Sequence, residues 1–235
     1  MAKISERFFE SKEELSNSLA SLLEAGLVAG IEQKGNAVLM VSGGSSPAPA
    51  YRHLSQLPLA WDKISVAMVD ERWVDAEHEK SNEAFIRSTL LQNYGAKANF
   101  VTMKNSAATA QAGQAECEQA YRELGKADVT ILGMGPDGHT ASLFPHADGL
   151  KNGLNTTDVV CAINAKQSDV TGSITERMTL TLNGIANSQQ VVLLISGDEK
   201  RAMYEQAKQP GSELDIPLRA VLNHSDINLT VFWCP

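Results

Sequence analysis

Cysteine is scarce in this 235-residue chain. Cys117, Cys161 and Cys234 are odd in number, far apart and without a CxxC spacing. That excludes a zinc ribbon and a disulfide framework, and leaves three reduced thiols as the expectation. Long apolar runs are also missing. The longest, such as Ala37–Val41 and Val191–Ile195, are strand-sized, whereas a membrane span needs about 18 apolar residues. The opening MAKISERFFESKEEL has no apolar h-region and no small-residue cleavage site, so a cytoplasmic location is expected. Basic charge is in deficit: 20 Lys and Arg against 28 Asp and Glu, a net charge of −8. A surface built to neutralise nucleic-acid phosphates is thereby disfavoured. A small anion is not, because a local site can oppose the global charge.

What is present is ordinary for a globular protein, with 43% hydrophobic and 20% charged residues. This excludes an intrinsically disordered chain and allows a sizeable core. Ser11 before Glu13 and Glu14 marks a helix start, and Leu15, Leu19, Leu22 and Leu23 continue it with helical spacing. Gly35 and Asn36 stop it. Buried strands are predicted at Ala37–Val41, at Ile64–Val69 ending on Asp70, and at Val129–Leu132. Further strands are expected at Val159–Ile163, Met178–Leu182, Val191–Ile195 and Leu229–Trp233. Helices are expected through Tyr51–Leu54, Glu83–Leu91, Ala107–Leu124 and Lys200–Lys208. This alternation predicts an α/β fold, a Rossmann-like, mainly parallel sheet flanked by helices, in one domain over 1–235. The Gly-, Asn-, Ser- and Thr-rich stretch Asp148–Thr175 reads as a possible insertion or small subdomain. In open α/β sheets ligands lie beyond the carboxyl ends of strands, here at Ser42, Asp70, Gly133 and Ser196.

Four constellations sit at those ends. Ser42-Gly43-Gly44-Ser45-Ser46-Pro47 follows a buried strand with glycines, hydroxyls and a proline suited to a helix start. It lacks the GK[ST] ending of a P-loop. Its N–H groups suit an anion; a plain strand-to-helix turn is the alternative. Asp70-Glu71-Arg72-Trp73 offers Arg72 as a fork for phosphate or carboxylate, and Asp70 as a holder of sugar hydroxyls or a base. An Arg–carboxylate pair bracing a loop is equally open. Gly133-Met-Gly-Pro-Asp-Gly-His139 spells G-x-G-x-x-G. A dinucleotide fingerprint should open a long helix, and Pro136 and Pro145 leave room for only one or two helical turns. Asp137, two residues before His139, can orient the ring and stabilise its protonated form, as a general base requires. A turn-filling histidine is the bland alternative. Asp137, His139 and His146 can also be read as metal ligands, but no compact ligand cluster supports that reading, so no metal is expected. No G-x-S-x-G elbow is present. Finally, Arg177 and Lys200 are cations near strand ends. Lys200 sits in a helix first turn, where the dipole mildly disfavours it; a plain solvated lysine is the commoner reading of such a residue. His53, His78 and His224 read as surface.

These residues resemble the 6-phosphogluconolactonase family. The resemblance spans nearly the whole chain: Ser42-Gly-Gly-Ser-Ser-Pro47, Asp70-Glu-Arg72, Ser81-Asn82, Gly133-Met-Gly-Pro-Asp-Gly-His-Thr-Ala-Ser-Leu-Phe-Pro145, Arg177-Met-Thr-Leu, Ser196-Gly-Asp-Glu-Lys200 and Pro217-Leu-Arg-Ala. It implies a fold shared with glucosamine-6-phosphate deaminases, and hydrolysis of 6-phosphoglucono-δ-lactone without cofactor or metal. It implies His139 and Asp137 as catalytic residues. Substrate would be held by Gly43, Gly44, Ser45, Asp70, Arg72, Arg177 and Lys200. The sister deaminases carry a glutamate just before the proline of this turn, where this chain has Phe144. That favours lactone hydrolysis over isomerisation with deamination. The rivals are an isomerase or deaminase using Asp70 as base, and a non-catalytic sugar-phosphate-binding module.

Overall fold

The computed structural model describes residues 1–235. An edge strand β1 (Lys3–Phe8) precedes helix α1 (Lys12–Lys34). Ser11 caps α1, its Oγ accepting from the Glu14 N–H at 3.2 Å. The helix buries Leu15, Leu19, Leu23 and Leu27, and ends where Gly35 takes φ 81°, the left-handed conformation glycine adopts without strain. There follow β2 (Ala37–Val41), α2 (Ala48–Ser55), β3 (Ile64–Met68), β4 (Asp70–Arg72), α3 (Asn82–Thr89), β5 (Asn99–Val101), α4 (Ala110–Leu124) and β6 (Ala127–Gly133). The second half comprises α5 (Leu150–Asn155), β7 (Val160–Asn164), β8 (Glu176–Leu180), α6 (Leu182–Ala186), β9 (Ser188–Ser196), α7 (Asp198–Ala207), α8 (Leu218–Asn223) and β10 (Asn228–Cys234).

Seven strands form one parallel sheet in the order β1-β10-β9-β6-β2-β3-β5. β2 is buried at every residue and β6 at all but its last, which is why both read as continuous apolar runs. From β2 the chain moves outward through β3 and β5; from β6 it moves the other way through β9 and β10. The direction reverses between β2 and β6, and there the fold opens a crevice at the carboxyl ends.

Beside this sheet lies a second, antiparallel one in the order β4-β8-β7. It corrects the expected strand through Val69. β3 stops at Met68, Asp70 opens β4, and β4 pairs with β8 rather than extending the main sheet. The Asp148–Thr175 stretch contributes α5, β7 and the loop that follows. The expected helical turns before Pro145 are absent: Thr140 and Leu143 form an isolated bridge instead. β1 escaped the sequence reading because most of its side chains are exposed and carry no alternation. No helix is long and apolar enough to cross a membrane.

Candidate active site

The crevice between β2 and β6 opens into a cavity of about 420 Å³. Its walls include Gly43, Gly44, Ser45, Asp70, Arg72, His139, Arg177 and Lys200. Asp137 stands directly behind His139.

The turn after β6 is built around the histidine. The Asp137 Oδ1 lies 2.5 Å from His139 Nδ1 and also accepts the His139 N–H at 3.1 Å. The His139 carbonyl accepts from Gly135 N–H at 3.0 Å, closing the turn. Gly135 is required here, because a Cβ would stand 2.1 Å from both Nδ1 and Cε1 of His139. Gly138 takes φ 78°, and its carbonyl accepts from Leu218 N–H at 3.1 Å. Nε2 of His139 has no partner in the chain and is free for a water or substrate. Burial, the largest influence on Asp137, would raise its pKa. The hydrogen bond to His139, the imidazolium charge and the backbone N–H outweigh it and hold the carboxyl below its ordinary value.

The turn after β2 has the opposite character. Gly44 takes φ 93° with open space around it. The N–H groups of Gly43, Gly44, Ser45 and Ser46 donate to nothing in the chain, and they precede the first turn of α2. Gly43 is fixed by Asn82, whose Oδ1 would lie 2.0 Å from a Cβ at that position. Asn82 lines the cavity and donates through Nδ2 to the Asp70 carbonyl at 2.9 Å. It appeared in the sequence only as part of a motif; nothing local marks it as cavity-lining.

The small sheet supplies two cations. Arg72 and Arg177 lie directly opposite each other on β4 and β8. Like charges in that register repel, and no carboxylate comes within 4.0 Å of Arg72, Arg177 or Lys200. Arg177 is only 3% exposed. Its Nε and one terminal nitrogen donate to the carbonyls of Ile174 and Thr171, each at 3.1 Å. Burial pulls its pKa down to about 10; Asp70 and Glu71 oppose that, and Arg72 adds to it. An isolated buried cation is costly, and a bound anion would relieve the repulsion between the two guanidinium groups. Arg72 donates to the Lys80 carbonyl at 3.1 Å. Lys200, in the first turn of α7, faces the same space.

The two carboxylates of the Asp70-Glu71 pair divide their roles. Glu71 is fully buried and accepts from the N–H groups of Arg72, Asn82 and Glu83 at 2.8–2.9 Å and from Ser81 Oγ at 3.0 Å. It anchors the start of α3 and thereby sets Asn82 and Arg72. Burial nonetheless pushes its pKa up. Asp70 lines the cavity, but its Oδ2 accepts from Ser142 Oγ at 2.6 Å, so part of its charge already holds the histidine turn. His146 lies apart, its Nε2 2.9 Å from Asp215.

A model of the glucosamine-6-phosphate isomerases/6-phosphogluconolactonases matches residues 10–233. The chain belongs to this family. A 6-phosphogluconolactonase of Rhizobium meliloti is 37% identical over 228 residues, covering 97% of each chain. One from Mesorhizobium japonicum is 37% identical, covering 97% of this chain and 94% of the relative. The crystal structure of a 6-phosphogluconolactonase from Shewanella baltica superposes with a TM-score of 0.93 at 34% identity, covering all of this chain and 98% of that one.

Proposed function

We propose that this chain, as one domain over 1–235, hydrolyses 6-phosphoglucono-1,5-lactone to 6-phosphogluconate, the lactone-opening step of the oxidative pentose phosphate pathway. The observation that carries the mechanism is His139: Nδ1 bound to Asp137 at 2.5 Å, Nε2 free, in a cavity ringed by cations without carboxylate partners. The substrate phosphate carries about −1.5 to −2 charges at neutral pH, by analogy with other phosphomonoesters. The free N–H groups of the Gly43-Gly44-Ser45 turn, Arg72, Arg177 and Lys200 are the groups able to hold it.

His139 takes a proton from a water through Nε2 as that water attacks the lactone carbonyl. Asp137 holds the ring and stabilises the imidazolium. The Gly135 and Gly138 N–H groups are already bonded within their turn, so the oxyanion is stabilised by a backbone N–H of the turn after β2 that the phosphate leaves free, an effect worth about 3–4 kcal/mol per donor in hydrolases. The carbonyl re-forms as the bond to the ring oxygen breaks, and His139 returns its proton to that oxygen. Asp70 is left to contact sugar hydroxyls. Replacement of His139 by Ala should cut kcat about a hundredfold or more, read as lactone opening at slightly acidic pH, where the spontaneous reaction is slow. A folded variant with wild-type kcat would remove His139 from the role of base. Turnover of glucosamine 6-phosphate by the wild-type protein would instead favour the sister chemistry.

A further inference from the structure

Phe144 occupies a place that the reaction as described does not use. It is 4% exposed and lines the cavity. Its ring centroid lies 4.3 Å from that of His139, with the planes tilted by 36°. The Arg177 guanidinium carbon lies 5.2 Å from the centre of the same ring. One aromatic side chain therefore touches both the imidazole at the end of β6 and the buried cation of β8.

The backbone that carries it is pinned to the small sheet. Ser142 N–H donates to Thr179 Oγ1 at 3.0 Å, and Ser142 Oγ donates to Asp70 at 2.6 Å. Ala141 just before it takes φ 48°, an unfavourable conformation for a residue with a Cβ. Strain of that kind persists only where the surroundings over-determine it. The turn is thus held by β4 and β8, while His139 is held by the turn after β6.

The hydrogen bond from His139 Nδ1 to Asp137 fixes one edge of the imidazole but does not by itself set the tilt of the ring plane. Gly135 blocks the Nδ1 and Cε1 edge. Phe144 is the side chain that bears on the ring plane. We propose that Phe144 is a positioning residue: its ring holds the His139 imidazole with Nε2 aimed into the cavity and ties that orientation to Arg177 on the small sheet. Its flat, electron-rich face also favours a cation, so it supports the imidazolium formed during water attack as well as the guanidinium. The proposal rests on His139 acting as the base.

The test uses Phe144→Leu, which keeps an apolar side chain but removes the ring, and Phe144→Tyr, which keeps the ring. The expected result is a fall in kcat of about tenfold to a hundredfold for Phe144→Leu, the scale on which small misplacements act. KM for the lactone should change less than kcat, and Phe144→Tyr should stay within about threefold of wild type. In the background of His139→Ala, Phe144→Leu should cost no further activity, because residues acting through one group are not additive. Equal losses in the Leu and Tyr variants, or losses that multiply with His139→Ala, would overturn the assignment. So would a kcat unchanged in a Phe144→Leu protein of lowered Tm, the signature of simple core filling. If Phe144→Leu does not fold, Phe144→Met takes its place in the same comparison. Should His139→Ala itself retain activity, the base assignment fails; should it be inactive while Phe144→Leu is not, the positioning role alone fails.

Discussion

Two glycine-rich turns follow adjacent, equally buried strands, and they do opposite things. The turn after β2 is open: Gly44 has nothing within 4 Å of where a Cβ would be, and four successive N–H groups, from Gly43 to Ser46, donate to nothing in the chain. The turn after β6 is closed on itself, with Gly135 under the His139 ring and Gly138 against Ile216. Glycine serves the first as a hinge that exposes backbone donors. It serves the second as missing volume that lets a side chain lie against the backbone. Similar composition at the same level of the sheet therefore yields a run of unpaired backbone donors in one place and a clamp for an imidazole ring in the other.

The largest effect should come from breaking the closed turn. Gly135→Ala places a methyl group 2.1 Å from the imidazole, so the ring must leave Asp137. We expect kcat to fall about a hundredfold, with KM for the lactone much less altered; steady-state kinetics of the two parameters decides it. Next is the buried cation of β8. Arg177→Met should raise KM about tenfold or more, since a charge-assisted contact to phosphate is among the stronger polar interactions. Titration shows the same residue from another side. Its pKa of about 10 means it is charged at neutral pH. Binding of 6-phosphogluconate, measured calorimetrically, should weaken as the pH passes about 10. Folding stability responds with the opposite sign, because burial disfavours the charged form and its cost is relieved as the proton leaves.

Gly44→Ala should act only mildly. The added methyl meets no atom but must accept φ 93°, a cost of about 1 kcal/mol. A lower Tm with a KM change of a few-fold, and kcat intact, is the expected outcome. A kcat as damaged as that of Gly135→Ala would erase the distinction between the turns. Asp137 gives a smaller effect in acid. Its folded pKa is lowered, so its contribution to stability is present above the ordinary carboxylate range and is lost as pH falls through the folded value. Asp137→Asn should flatten that part of an acid-unfolding curve. Smallest of all is the response to salt. With a net charge of −8, long-range steering of a phosphate ester is weak or adverse, and raising ionic strength should not produce a steep loss of kcat/KM.

Much of this was legible before the fold was known. β2, β6 and β9 are buried on both faces and announce themselves as apolar runs. Asp137 and His139 are two residues apart, so their pairing is local. β1 and β5 were missed because edge strands carry little apolar pattern, and β4 because three residues of mixed polarity give no periodicity at all. The sequence assigns Glu71 no role of its own. Only its burial and its four hydrogen bonds show that it anchors α3.

The sequence by itself determined the buried inner strands of the main sheet, the two glycine-rich turns at its carboxyl ends and the Asp137–His139 pair, since each depends on neighbours within a few residues. The tertiary structure alone decided that Arg72 faces Arg177, that Asp70 holds Ser142, and that Phe144 lies between the histidine and a buried arginine. Apart from that between Phe144 and His139, those contacts join residues far apart in the chain, and all of them involve the small sheet or the turn packed on it. They exist because β4 leaves the main sheet to pair with β8, and strand pairing between distant segments is set by the packing of the whole fold rather than by local preference.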